Sequence, residues 1–111
     1  MIEIFEITEV DDFTLDAVNH LLPQLSQSAQ PISSGSLQDL ASSEATRLFM
    51  AKEGNAILGM LSLVVFAIPT GIKAWIEDVV VEEDARGKGV GKKLMMHAIA
   101  ETEKAGAKSI D

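Results

Sequence analysis

"WIEDVVVEEDARGKGVGKKLM", residues 75–95, sets an apolar strand, a run of acids and a glycine-basic loop side by side. Arg86, Lys88, Lys92 and Lys93 stand close together in a chain whose net charge is −8. Gly87, Gly89 and Gly91 interleave with them, so the backbone can turn tightly and point its N–H groups into a concave site. Val90, Leu94, Ala98, Thr102 and Ala105 then follow along one helical stripe, with Met95 and Ile99 adjoining, so the loop opens a helix. First-turn amides have no internal partner, and the helix dipole adds roughly half a positive charge there. The combination is an anion site, most naturally for a phosphate or pyrophosphate.

Two better-known phosphate loops are excluded by counting. A Walker loop ending in Gly91-Lys92 requires glycine at 86 and Ser or Thr after Lys92, where Arg86 and Lys93 stand. A dinucleotide fingerprint begun at Gly87 fails at Lys92, and one begun at Gly89 fails at Leu94. What remains is R-G-x-G-x-G at a strand-to-helix junction.

Upstream, "IEIFEIT" (2–8) suits a half-buried strand. Asp11 or Asp12 caps a helix carrying Leu15, Val18, Leu22 and Leu25, which Pro23 kinks or ends. Residues 26–36, "SQSAQPISSGS", form a polar loop, the natural mobile segment of the chain. Ser36 with Asp39 suggests a capping box for a short helix over 37–43. "TRLFMAKE" and "AILGMLSLVVFAI" form a hairpin around Gly54-Asn55, with Gly59 marking a bulge. "PTG" (69–71) turns the chain into a third antiparallel strand, "IKAWIEDVVVEE". Gly106 stops the last helix, and "AKSID" opens a further strand. The order β-α-α-β-β-β-α-β predicts a mixed α/β (α+β) sheet with helices on its faces. By the handedness rule its last two strands lie parallel.

At 111 residues, the whole chain, 1–111, reads as one domain with a core of its own. Absence of cysteine removes disulfides, thiolate metal sites and cysteine nucleophiles. The two histidines, His20 and His97, are isolated, so no metal site is expected. The acidic balance disfavours nucleic acid and anionic membranes as partners. The apolar run Ala56–Ile68 is too short to span a bilayer, and the acidic N-terminus lacks a signal-peptide n-region. A cytoplasmic protein is expected.

"VVVEEDARGKGVGKKLM" resembles the acyl-CoA-binding motif of the GNAT superfamily of N-acetyltransferases, with Arg86, Gly89 and Gly91 at its fixed positions and Glu83 in place of a usual proline. The element order is also similar, over essentially the whole chain, and "IEDVVV" resembles glucosamine-phosphate and polyamine acetyltransferases. The resemblance implies a GNAT-like, mostly antiparallel sheet and acetyl-CoA as co-substrate. Backbone amides from Gly87 to Lys92 (Gly87, Lys88, Gly89, Val90, Gly91, Lys92) would hold the pyrophosphate, with Arg86 at the motif's first fixed position also in the cofactor site. Backbone groups of Val79 and Val81, with Val80 between them, would hold the pantetheine arm. The implied reaction is acetyl transfer to a primary amine of a small molecule.

Such transfer requires a neutral amine, so a nearby carboxylate must accept the ammonium proton. Glu77 and Asp78 precede the loop, and strand alternation would send them to opposite faces. Glu77 is the expected base or amine anchor, as in similar families, with Asp78 as substitute. Glu82, Glu83 and Asp84 read as solvated loop charges. The family places a thiolate-protonating tyrosine, a helix and two strands after the next strand. This sequence has no tyrosine and reaches Asp111 at that strand's onset, so it reads as a GNAT domain lacking its C-terminal part. A last strand with an open edge invites a homodimer. The alternative function is a non-catalytic CoA-binding or interaction module completed by a partner chain. A weaker one is a small domain whose loop binds another phosphate.

Overall fold

The computed structural model describes residues 1–111. The chain forms β1 (Glu3–Glu6), α1 (Asp12–Leu25), α2 (Ser34–Ala41), β2 (Thr46–Glu53), β3 (Ala56–Ile68), β4 (Gly71–Val81), a 3-10 turn (Glu83–Ala85) and α3 (Val90–Lys104). The strands lie in sequence order in one antiparallel sheet. The expected final strand is shorter than a strand: residues 108–111 run parallel to β4 through a single Ala74–Ile110 bridge. No helix is long and apolar enough to cross a membrane.

Local chemistry accounts for the boundaries. The Asp11 carboxylate accepts from the Thr14 amide at 2.8 Å, and the Thr14 hydroxyl accepts from the Asp11 amide at 3.0 Å. This reciprocal box starts α1. Pro23 does not end the helix, which runs to Leu25 because the Ser26 amide still bonds the Leu22 carbonyl at 3.0 Å. A proline this close to the C-terminus removes one hydrogen bond without blocking the last turn. The second helix starts earlier than expected. Ser33, not Ser36, is its cap, and its hydroxyl accepts from the Ser36 amide at 3.1 Å. Part of the expected loop is therefore helix, and Asn19 pins another part by bonding both the amide (2.8 Å) and the carbonyl (3.1 Å) of Ile32.

Gly106, at φ +81, ends α3. The Gly106 amide bonds the Glu103 carbonyl at 3.1 Å, and the Ala107 amide bonds Thr102 at 3.2 Å. Both bonds of a Schellman motif are thus made.

Two apolar layers sandwich the sheet. Val90, Leu94 and Ala98 of α3 pack on Phe49, Leu61, Leu63 and Ala74. On the other face Val18, Leu21 and Leu37, from α1 and α2, pack on Met50 and Val80. Gly59 adjoins a bulge at Leu58, where the β2–β3 register slips. It also lets α3 approach the sheet. A Cβ there would stand 2.8 Å from the Val80 carbonyl oxygen, 3.2 Å from Val90 Cγ1 and 3.3 Å from Leu94 Cδ1. Gly59→Ala is therefore expected to cost about 1–3 kcal/mol, seen as a lower urea midpoint at unchanged slope.

A charged clamp ties α3 to the far edge of the sheet. Arg47 on β2 donates to Glu6 on β1 through Nε (3.2 Å) and Nη2 (2.8 Å), and to Glu101 on α3 at 2.7 Å. Its guanidinium also lies over the Phe49 ring, 5.1 Å from the centroid. Hydrogen bonds from Arg47 first, then Lys104, hold the Glu101 carboxyl below its ordinary value of 4.5. A depressed folded pKa gives stability that is present above 4.5 and is lost as pH falls through the folded value. Asp11 adds to the same acid loss, because Thr14 lowers its pKa through hydrogen bonds. Arg47→Met is expected to lower stability by roughly 1–3 kcal/mol near neutral pH. The gap from the parent chain should narrow on acidification below the ordinary carboxylate range, since Asp11 is common to both. Urea titrations at several pH values check this.

Candidate active site

The end of β4 departs from a regular strand. The ladder pairs Ser62 with Glu77 and Met60 with Val80, so Asp78 and Val79 together face Leu61. The extra residue is a bulge. Asp78 takes φ +50, the only non-glycine residue with positive φ, a conformation aspartate tolerates better than most.

The bulge inverts the strand's parity. Ala74 and Ile76 join the core under α3, and Val81 joins it too, whereas Val80 is buried under α1 and α2. Alternation puts Trp75 and Glu77 on the α1/α2 face, where the indole N–H donates to the Glu77 carboxylate. Asp78 lines a cavity beneath the same two helices, together with Ser62. The expectation that Glu77 and Asp78 point to opposite faces therefore fails: the bulge cancels the alternation on which it rested.

Parity also governs the backbone. On the outer edge of β4, the Ala74 and Ile76 amides donate to the carbonyls of Ser109 (3.2 Å) and Asp111 (2.9 Å). Residues 108–111 bond β4 as far as Ile76 and not beyond it. Past the bulge, the Glu82 amide turns inward to the Leu58 carbonyl at 2.7 Å. Alternation then turns the polar groups of Val80 inward as well, and those of Val79 and Val81 to the open edge. Val80 thus supports the site from within the core, while its two neighbours offer backbone donors and acceptors.

The loop follows at once. Ala85 is buried and anchors the 3-10 turn, while Arg86, Gly87, Lys88 and Gly89 are exposed. Gly87 (φ +90) and Gly89 (φ +81) occupy the left-handed region, with open space where a Cβ would stand. Gly89 is the N-cap of α3 and offers no side-chain bond to the first turn. Lys88 N–H reaches the Ala85 carbonyl, and Lys93 N–H the Gly89 carbonyl. The amides of Gly87, Gly89, Val90, Gly91 and Lys92 find no acceptor in the chain. Arg86, Lys88, Lys92 and Lys93 form no ion pairs. Unpaired amides, a helix start and four uncommitted cations make a cradle for a multiply charged anion.

Helix α1 braces this cradle through residues that the sequence left without a role. Glu82 is half-buried, not solvated, and accepts from His20 Nε2 at 2.8 Å and Gln24 Nε2 at 2.9 Å. The Gln24 carbonyl in turn accepts from the Glu83 amide at 2.8 Å. One of the three acids before the loop is thereby drawn away from the anion site. The helical spacing of His20 and Gln24 was readable; their partner, on a distant segment, was not. His97 packs its ring edge-on against Phe49 at 4.8 Å, as a helix residue should.

Comparison with known proteins agrees with the fold. The family model described as "Acetyltransferase (GNAT) family" matches residues 13–111. No curated protein sequence matches significantly. Among solved structures, an acetyltransferase from Trypanosoma brucei is 24% identical, with a TM-score of 0.82 over 100% of this chain and 81% of that one. An aminoglycoside acetyltransferase from an uncultured soil metagenomic sample, in complex with sisomicin, is 22% identical, with a TM-score of 0.85 over 99% and 75%. Glucosamine-6-phosphate N-acetyltransferase from Arabidopsis thaliana is 19% identical, with a TM-score of 0.83 over 100% and 80%. At these identities the structures speak for the fold, and the family model for membership. A GNAT model spanning nearly the entire chain, over a loop and sheet built as above, identifies this protein as a member of the GNAT acetyltransferase family.

Proposed function

We propose that this chain is a cytoplasmic N-acetyltransferase that moves the acetyl group of acetyl-CoA directly to a primary amine of a small molecule. The observation that carries this reading is the run of five unpartnered amides between Gly87 and Lys92, adjoining the open edge at Val79 and Val81. The residues fit the coenzyme. The cradle suits its diphosphate, Arg86, Lys88 and Lys92 offset the charge, and the β4 edge suits the amide-bearing arm. Acetyl-CoA, when bound, supplies an activated acyl thioester.

Glu77 takes the proton from the incoming ammonium, directly or through a water, and Asp78 is the second carboxylate within the same region. The sequence holds no cysteine, so no thiol of the chain carries the acyl group, and transfer needs no covalent enzyme intermediate. The outer side of residues 108–111 offers an edge through which two copies could pair, which sedimentation would detect.

The test has two stages. Acetyl-CoA should raise the melting temperature, and a panel of primary amines should then elicit release of free thiol. Stabilisation by another phosphate ligand but not by acetyl-CoA would overturn the CoA assignment. Binding without turnover on any amine would instead favour a non-catalytic module completed by a partner chain.

A further inference from the structure

The cavity beneath α1 and α2 has a volume of about 100 Å³. Ten of its twelve lining residues are apolar, among them Val18, Leu22, Leu37, Leu48 and Met60; the other two are Ser62 and Asp78. Asp78 and Leu40 line the cavity and are also exposed, so they mark its mouth. That mouth lies at the β4 bulge, where Ser62 is the rung partner of Glu77. Asp78 forms no ion pair.

From this geometry we infer that the acceptor is a primary amine carrying a compact apolar group, with its ammonium at Asp78 and its hydrocarbon in the cavity. The inference rests on the acetyltransferase reading and names the substrate class for that site. Size sets one limit. An apolar cavity of about 150 Å³ holds a benzene ring, so the present one suits a branched alkyl group of about four carbons. Chemistry sets another. A polyhydroxylated amine would bury hydroxyl groups against aliphatic walls that offer them no partner, which is strongly unfavourable. Charge decides between the two halves of the reaction. A carboxylate at the mouth favours a cationic amine there and does nothing for a neutral acyl chain.

Kinetics with a set of amines tests the inference. Burying each extra methylene is worth roughly fourfold, so kcat/KM for 3-methylbutylamine should exceed that for ethylamine by about sixtyfold, three carbons being added. Glucosamine should fall below both. Val18→Phe fills the cavity and should bring the alkylamine ratio close to one while leaving the acetyl-CoA melting shift unchanged. Should that variant fail to fold, Leu40→Trp at the exposed mouth is the substitute, with the same expectation. Asp78→Asn, which keeps a residue tolerant of positive φ, should weaken 3-methylbutylamine binding at least tenfold without affecting acetyl-CoA.

A binding arm separates this inference from the reaction itself. Calorimetric titration of the CoA-loaded protein with the same amines needs no turnover. Chain-length-dependent binding without acetylation would retain the cavity assignment and sink the transferase reading. Turnover that favours glucosamine, or that ignores amine length, would overturn the cavity assignment and leave the transferase intact. A preference for branched four- or five-carbon acyl-CoAs with no amine preference would also overturn it, by giving the cavity to the acyl chain.

Discussion

Replacing Gly89 with aspartate is expected to abolish the stabilisation of this protein by acetyl-CoA. At a free ligand concentration a hundred times Kd, binding stabilises the parent by about 2.7 kcal/mol, a rise of about 10 °C or more for a domain of this size. Gly89→Asp should remove it through charge at the anion cradle. Position 89 sits at φ +81 with open space for a Cβ, a conformation aspartate tolerates better than most, so the variant should still fold. The new carboxylate would stand among the amides of Gly87 to Lys92, where it both repels the diphosphate and competes with it for donors. Differential scanning fluorimetry with and without acetyl-CoA reads the outcome.

Gly91→Ala is the informative companion. Its Cβ would meet only Val81 Cγ2, at 3.5 Å, an ordinary contact. Nothing in the fold requires glycine there, and alanine should stabilise the free protein by up to about 1 kcal/mol. Its methyl group would nevertheless stand on the first turn of α3, against the ligand. A free protein that melts higher while binding acetyl-CoA more weakly would show that this glycine serves the ligand. An unchanged affinity would remove Gly91 from the site.

Glu77→Gln should leave the acetyl-CoA shift in place and cut kcat by about a hundredfold or more, within the range of general base catalysis. The amide keeps a hydrogen-bonding oxygen for Trp75 but cannot accept the ammonium proton. Activity of the variant should recover as pH rises toward the amine's own pKa, because solvent then supplies the neutral nucleophile. A rate equal to the parent's at neutral pH would reject Glu77 as the base, and Asp78→Asn would be the next variant to assay.

Features fixed by neighbouring residues were legible in the sequence. The Asp11 cap, the Gly54-Asn55 turn, the Gly106 stop and the loop from Arg86 to Lys92 each depend on a few adjacent positions. Features created by pairing across the chain were not. No local pattern tells that Asp78 and Val79 share one rung, because the bulge exists only relative to Leu61. Period-two reasoning therefore misassigned the faces of Glu77 and Asp78. Glu82 looks like any loop acid until His20 and Gln24 arrive from α1. Ser33 and Ser36 are equally good caps on paper.

The Asp78–Val79 bulge joins what the fold needs to what the site needs. Removing Val79 would restore an even ladder, with Asp78 alone facing Leu61. Glu77 and Val80 would keep their present face, and Ile76 and Val81 theirs, but Asp78 would take the parity of Ala74 and Ile76 and turn its carboxylate into the apolar layer under α3. The extra residue keeps that carboxylate out of the core. A chain lacking Val79 should therefore unfold at a lower urea concentration, and it should bind acetyl-CoA poorly because the open edge loses the backbone groups that Val79 offers. The residue that gives the strand a bend in place of a rung thus serves the core and the site together.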